Sequence, residues 1–283
     1  MTSHVAVSSK DFVVAFSDSQ GTVGMESEVH GGQKLFFGPD FIVAKAGSSL
    51  ITNPLFAQLA TQSRDGTVTA SNLHLAIQEY LQKEIRSHHW GEVQFLTATP
   101  SSDGKWIQSY MPEVFFNFGS RECFGAIGSG QTFVYRMIER LAILQCPWTQ
   151  LPLAGTYCVT KRLADAANES LTVDDTHLVG LIANGKCYAM GDKRITPSYL
   201  DTPILEHWPS VAKKFDEITA IAETANSLID QAFRNLHGVW SGHIEIMDAA
   251  VSVTTANEVE GQFAQLESKL LEYFAWYDGM LER

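Results

Sequence analysis

Hydrophobic positions change period several times along the chain. SHVAVS at 3–8 alternates apolar and polar residues, SSKD is turn-like, and FVVAFS at 12–17 is a continuous apolar run. Together they predict a buried antiparallel hairpin. KLFF and FIVAKAG, joined by GPD, predict two more strands at about 34–37 and 41–47. Asn53-Pro54 then reads as a helix start, with Leu55, Leu59 and Ala60 on an apolar stripe that RDG ends. Ser71 or Asn72 opens another helix, with Leu73, Ile77, Tyr80, Leu81 and Ile85 on one face.

VQFLTATP, WIQSYM, EVFFNF and CFGAIG supply a further run of strands, after which Ser129 caps a helix carrying Val134, Met137, Ile138, Leu141 and Leu144. A helix at about 156–168, the strand HLVGLIA, an Asn184-Gly185 turn and the strand KCYAM complete this region. The order is strands, two helices, strands, two helices, strands. Strands this apolar on both faces are buried on both sides, which predicts two stacked sheets with helices outside.

The pattern changes after about residue 195. Val211, Phe215, Ile218, Ala222, Ala225, Ile229, Ala232 and Leu236 keep a 4-3 spacing, and Val259, Phe263, Leu266, Leu270, Tyr273, Tyr277 and Met280 repeat it. Both stretches predict long helices with a coiled-coil-type seam, packed on each other, on the sheets or on a second subunit. SGHIEIMDAAVSVT between them reads as a strand pair or a loop. The chain divides into an α+β unit, residues 1–195, and a mainly helical extension, 196–283.

Composition narrows the function. The net charge of −12 repels phosphate backbones and anionic lipid, and no local basic patch offsets it, so neither nucleic acid nor a membrane is expected as a partner. Cys123, Cys146, Cys158 and Cys187 form no C-x-x-C pair, which fits a reducing, cytoplasmic setting. No run approaches the roughly 18 apolar residues of a membrane span, and the start lacks a signal peptide's basic region and apolar run. The expectation is a chain that begins at its working N-terminus. GAIGSG at 125–130 lacks the third glycine of a dinucleotide loop.

The candidate chemistry lies at that start. With Met1 trimmed, Thr2 would carry a hydroxyl and a free α-amine on one residue. The amine, with an ordinary pKa near 8, is a base able to activate an otherwise poor nucleophile. Asp18 closes the strand FVVAFS and Lys34 opens KLFF, a pair able to help take the threonine proton and hold the lysine in place.

In these residues the chain resembles the proteasome β-subunits and their bacterial HslV-type relatives, which are N-terminal nucleophile hydrolases. The spacings from Thr2 to Asp18 and Lys34, the AGSS turn at 46–49 and the AIGSG signature at 126–130 carry the resemblance, which covers about residues 2–192. It implies a four-layer αββα sandwich with the helical segment appended. It also implies Thr2 as nucleophile, Lys34 and Asp18 as its activating pair, the Gly47 N–H as oxyanion donor and Ser129 near the Thr2 amine. Where the family has Asp-x-x-Ser, VDDTHLVG supplies Asp174 as the acid and His177 in the serine position. Lys45 falls at the base of the first specificity pocket, favouring an acidic side chain before the scissile bond, and Gly21, Gly32 and Ser49 join the substrate-binding set.

The implied activity is threonine peptidase chemistry through an acyl-enzyme, with no metal or organic cofactor. The implied assembly is a homo-oligomeric ring or filament taking peptides or unfolded protein, with an unfoldase as a possible partner. The alternatives are a catalytically silent scaffold or binding ring and an amidase for a small amide. Asp18 and Lys34 also have a plain reading, an ion pair at strand ends.

Overall fold

In the computed structural model the described residues are 3–282 apart from 20, 24–26, 30–32, 85–92, 111–120, 144–146, 171–172, 174, 196 and 241–247. They form a mixed α+β fold. The first strands are β1 (Ser3–Ser8) and β2 (Phe12–Asp18), then a short ribbon of β3 (Gly21–Val23) and β4 (Ser27–Val29), then β5 (Leu35–Phe37) and β6 (Ile42–Gly47). Helices α1 (Ser49–Arg64) and α2 (Leu73–Glu84) follow, then β7 (Val93–Ala98), β8 (Ile107–Tyr110) and β9 (Phe124–Gly128). Next come α3 (Gln131–Ile143), α4 (Leu153–Ala167), β10 (His177–Ala183) and β11 (Lys186–Gly191). The chain ends with α5 (Thr202–Glu206), α6 (Trp208–Trp240) and α7 (Asp248–Leu281).

Two antiparallel sheets carry the fold, one ordered β11-β10-β2-β1-β9 and the other β5-β6-β7-β8. Alternation gives each strand two apolar faces. Ala44 and Ala46 of β6 join the core shared with the five-stranded sheet, while Val43 faces a second core under α1 and α2 with Phe36, Phe56, Leu59, Ile77 and Phe95. Two glycines mark where the sheets meet. A Cβ at Gly180 would come within 2.7 Å of Phe37, and one at Gly125 within 2.8 Å of Ile107. Across the five-stranded sheet, α4 packs on β1 and β2, and α3 packs on β9 and β1.

The C-terminal helices belong to the same core. Val211, Phe215, Ile218, Ala222 and Ala225 on α6 and Leu266, Leu270, Tyr273, Tyr277 and Met280 on α7 are all buried in it, so the 4-3 stripe is the packing face. Tyr273 donates its hydroxyl to the Ala189 carbonyl at 2.5 Å, tying α7 to β11. Among the described residues no helix is long and apolar enough to cross a membrane.

Three readings of the sequence shift. The helix read from Asn53-Pro54 begins at Ser49, and Pro54 lies inside it. Gly47, at φ 98°, turns the strand directly into the helix, and the Ser48 carbonyl accepts the Ile51 and Thr52 N–H groups. Gly130, rather than Ser129, closes the first turn of α3, its carbonyl accepting from Phe133 and Val134. The β3–β4 ribbon was not anticipated, because GTV and SEV are too short to show a period. EVFFNF, Ile85, Leu144 and SGHIEIM lie outside the described residues; DAAVSVT is the first part of α7 rather than a strand or loop.

Candidate active site

The site is built around the first described residue. Ser3 opens β1 between β2 and β9, pairing with Gly128 on one side. Its backbone N–H donates to Asp18 Oδ1 at 2.7 Å, and Lys34 Nζ donates to the same oxygen at 3.0 Å. Asp18 is 2% exposed and Lys34 8% exposed. A charge that deeply placed is tolerated only with a partner, so the pair is mutually required. Sequence position explains the meeting: Asp18 is the last residue of β2, and Lys34 immediately precedes β5 of the facing sheet.

Two strand-ending glycines frame this corner. Gly47 leads into α1, and Gly128, at φ 90°, leads through Ser129 into α3, its own N–H donating to Gln94 Oε1 at 2.7 Å. Gly130 lies so close to the chain start that a Cβ there would be 2.6 Å from Ser3 Oγ. Ser129 therefore lies on the turn pressed against Ser3. His177 pairs in register with Asp18, is buried, and presents its ring edge-on to Phe16 with centroids 5.6 Å apart.

Lys45 does not reach solvent. Its side chain is 7% exposed, donates to Asn53 Oδ1 on α1, and holds Nζ 4.3 Å above the Phe56 ring. Burial first, and then the Lys34 charge, lower its pKa from 10.5 to about 8. Asn53, read as a helix-start residue, thus acts as a lysine partner.

His4 is the site residue that the motifs missed. It is 1% exposed, and its Nε2 lies 2.6 Å from the Lys45 carbonyl, bridging β1 of one sheet to β6 of the other. Burial, followed by the Lys34 charge, drives its pKa from 6.5 to about 3. At neutral pH the ring is uncharged, and facing a carbonyl Nε2 must be its donor nitrogen. One signal was available: His4 shares its strand parity with Ala6 and Ser8, so a strand buried on both faces buries the imidazole too.

Asp18, Lys34 and Lys45 thus meet the start of β1, Ser129 follows Gly128, the β9 partner of Ser3, and Gly47 closes β6 two residues beyond Lys45. Ser49 is the exposed first residue of α1, and Gly21 opens the β3–β4 ribbon. Thr2, Gly32 and Asp174 lie outside the described residues. Asp175, next to Asp174, forms an exposed ion pair with Arg194 at 3.3 Å. Among the described residues no group of three His, Cys, Asp or Glu side chains is arranged to hold a metal ion. No protein-family model matches the chain, and no curated protein matches it in sequence.

Proposed function

We propose that the chain is an N-terminal nucleophile hydrolase of the proteasome-like type, cleaving peptide bonds through Thr2 once Met1 has been removed. The observation that carries this reading is the single Asp18 oxygen that takes both the Ser3 N–H and the Lys34 ammonium. It puts a buried lysine–carboxylate pair one residue from the proposed nucleophile. The finer fold goes with the reading: the facing sheets and their flanking helices are taken as an αββα sandwich of that class, with α5–α7 added.

In the proposed reaction the Thr2 hydroxyl attacks the scissile carbonyl carbon while its proton passes to the α-amine, which the nearby Lys34 charge keeps unprotonated and free to accept it. The Gly47 N–H stabilises the oxyanion, with Ser129 and Asp174 holding the amine. Collapse breaks the C–N bond as the α-amine passes that proton to the departing nitrogen, which leaves as a neutral amine, and an ester remains on Thr2. Water adds to that ester, and its cleavage returns the threonine hydroxyl and a carboxylic acid. Among the described residues Lys34 is matched by Asp18, while Lys45 meets the Asn53 amide oxygen and the Phe56 ring and no carboxylate. A substrate with Glu or Asp before the scissile bond is the expected preference, in a homo-oligomeric ring or filament.

One observation favours a second reading, a catalytically silent subunit: the buried His177 ring beside Asp18 fills space next to the pair. Kinetics with fluorogenic peptides separate the two. Thr2→Ala is expected to abolish hydrolysis while Ser3→Ala keeps most of it. The acidic-substrate preference should fade above about pH 8 as Lys45 loses its proton. Turnover that survives Thr2→Ala, or aromatic peptides cleaved faster than acidic ones, would contradict the nucleophile or the Lys45 assignment respectively. Activity confined to small amides would move the substrate class.

A further inference from the structure

The turn at Ser198 and Tyr199, just beyond β11, reaches back to the corner described above. Gln33, 7% exposed, accepts the Ser198 N–H at 2.5 Å and the Tyr199 N–H at 2.9 Å with one side-chain oxygen. Its amide nitrogen donates to the Leu35 carbonyl at 2.7 Å. Three hydrogen bonds from a buried side chain fix the backbone on either side of Lys34.

The same turn supports the other lysine by a separate route. The Tyr199 ring meets Phe56 edge-on, with centroids 5.8 Å apart and planes at 85°. Phe56 is the ring beneath Lys45 Nζ. An aromatic contact of this geometry holds ring orientation as well as burying area. The two routes share no side chain: one runs through Gln33 to its chain neighbour Lys34, the other through Phe56 to Lys45.

We infer that Gln33 and Tyr199 are positioning residues, and that the 198–199 turn holds Lys34 and Lys45 in place, making the C-terminal segment a working part of the site. Its consequence for catalysis rests on the hydrolase reading above, whereas the placement of the lysines does not. Lys45 is faced by Lys34 and His4, with Asp18 behind Lys34, so its ionisation reports on this arrangement.

The test uses the full chain with isotope-labelled lysine side chains, following each Nζ signal by NMR against pH, beside thermal melts. Tyr199→Ala is expected to move the Lys45 midpoint up by about one unit from about 8, because water reaches the Phe56 face, while Tyr199→Phe leaves it unchanged. Gln33→Met, which fills the space without the hydrogen bonds, is expected to shift the Lys34 signal and leave Lys45 within about 0.3 units. If Tyr199→Ala does not fold, Tyr199→Leu replaces it. Lysine signals and midpoints that stay at wild-type values while the melting temperature falls would overturn the proposal and leave the turn a simple closure of the fold.

A β-lactone acylation assay separates the two levels. With an active wild type, Gln33→Met is expected to lower the maximal acylation rate about tenfold with half-saturation little changed. An inert wild type with the lysine shifts as described would reject the hydrolase reading and keep the positioning one.

Discussion

Two buried regions of this molecule handle polar groups in opposite ways. Where α6 and α7 cover β11 and α4, the buried polar atoms on the apolar side are tyrosine hydroxyls on large rings, and the ion pairs there, Lys161–Glu223 and Arg162–Asp230, each run out to a carboxylate that is 44% exposed or more. Tyr273 donates to the Ala189 carbonyl, Tyr188 to Asp278, Tyr157 lies 3.3 Å from the Thr219 hydroxyl, and the Tyr188 and Phe274 rings stack with centroids 4.2 Å apart. At the corner by Ser3 the buried groups are ionic: Asp18, Lys34 and Lys45, with a neutral His4 wedged between the sheets. Tyrosines bury area and satisfy one bond each, so stability alone accounts for the first region. Desolvating an ion pair roughly cancels its attraction, and apolar residues of like volume serve stability as well or better. The corner therefore spends stability on an arrangement of charge, which is the physical basis for reading it as chemistry.

That contrast predicts different failures. The largest effect is expected from Lys34→Ala, which strands Asp18 in a buried site. It should cost about 3–5 kcal/mol in denaturant unfolding and lower turnover by about 10²–10⁴-fold in the molecules that still fold. A loss of turnover no larger than the loss of folded protein would reduce the pair to a structural one.

Acid titration tests the corner's other member. The unfolded chain protonates His4 near pH 6.5 and the folded one near pH 3, so the unfolded state binds more protons between those values. Stability therefore falls as pH drops through that window. His4→Gln, which can keep a donor to the Lys45 carbonyl, should remove about 3 kcal/mol of this acid sensitivity between urea melts at pH 7 and pH 4. An unchanged slope would mean that His4 is not the group held neutral.

The helical region should fail in the other manner. Leu270→Ala, at a fully buried seam position, is expected to destabilise by about 2–5 kcal/mol and to leave turnover per folded molecule unchanged. Tyr273→Phe, losing one hydrogen bond, should cost about 1 kcal/mol. The smallest effect belongs to the exposed Lys269–Glu272 pair, where Lys269→Ala should leave the unfolding midpoint at its wild-type value.

Much of the scaffold was legible because it depends on periodicity. The alternation of SHVAVS, the apolar run FVVAFS and the 4-3 stripes of α6 and α7 translate directly into buried faces. Pro54 misled because proline usually punctuates, whereas here the Gly47 turn had already started the helix and the packing of Leu55, Phe56 and Leu59 outweighs one missing hydrogen bond. In the site, Asp18 and Lys34 were reachable through their spacing from Thr2. His4 was legible only as a buried strand position and Gln33 not at all, since their partners are main-chain groups of Lys45 and of Ser198 and Tyr199, and a backbone carbonyl or amide leaves no mark in the residue code. Lys45 was named from the resemblance, but its burial against Asn53 and Phe56 was not legible, because it depends on where α1 starts.

The most direct test of the central claim is the intact mass of the purified protein after treatment with a β-lactone that acylates N-terminal threonines, followed by peptide mapping of the adduct. The account predicts a species lacking Met1 and carrying one adduct on Thr2. A chain that retains Met1 and takes up no adduct would contradict it, and would turn attention to the C-terminal helices as the working surface of a silent subunit.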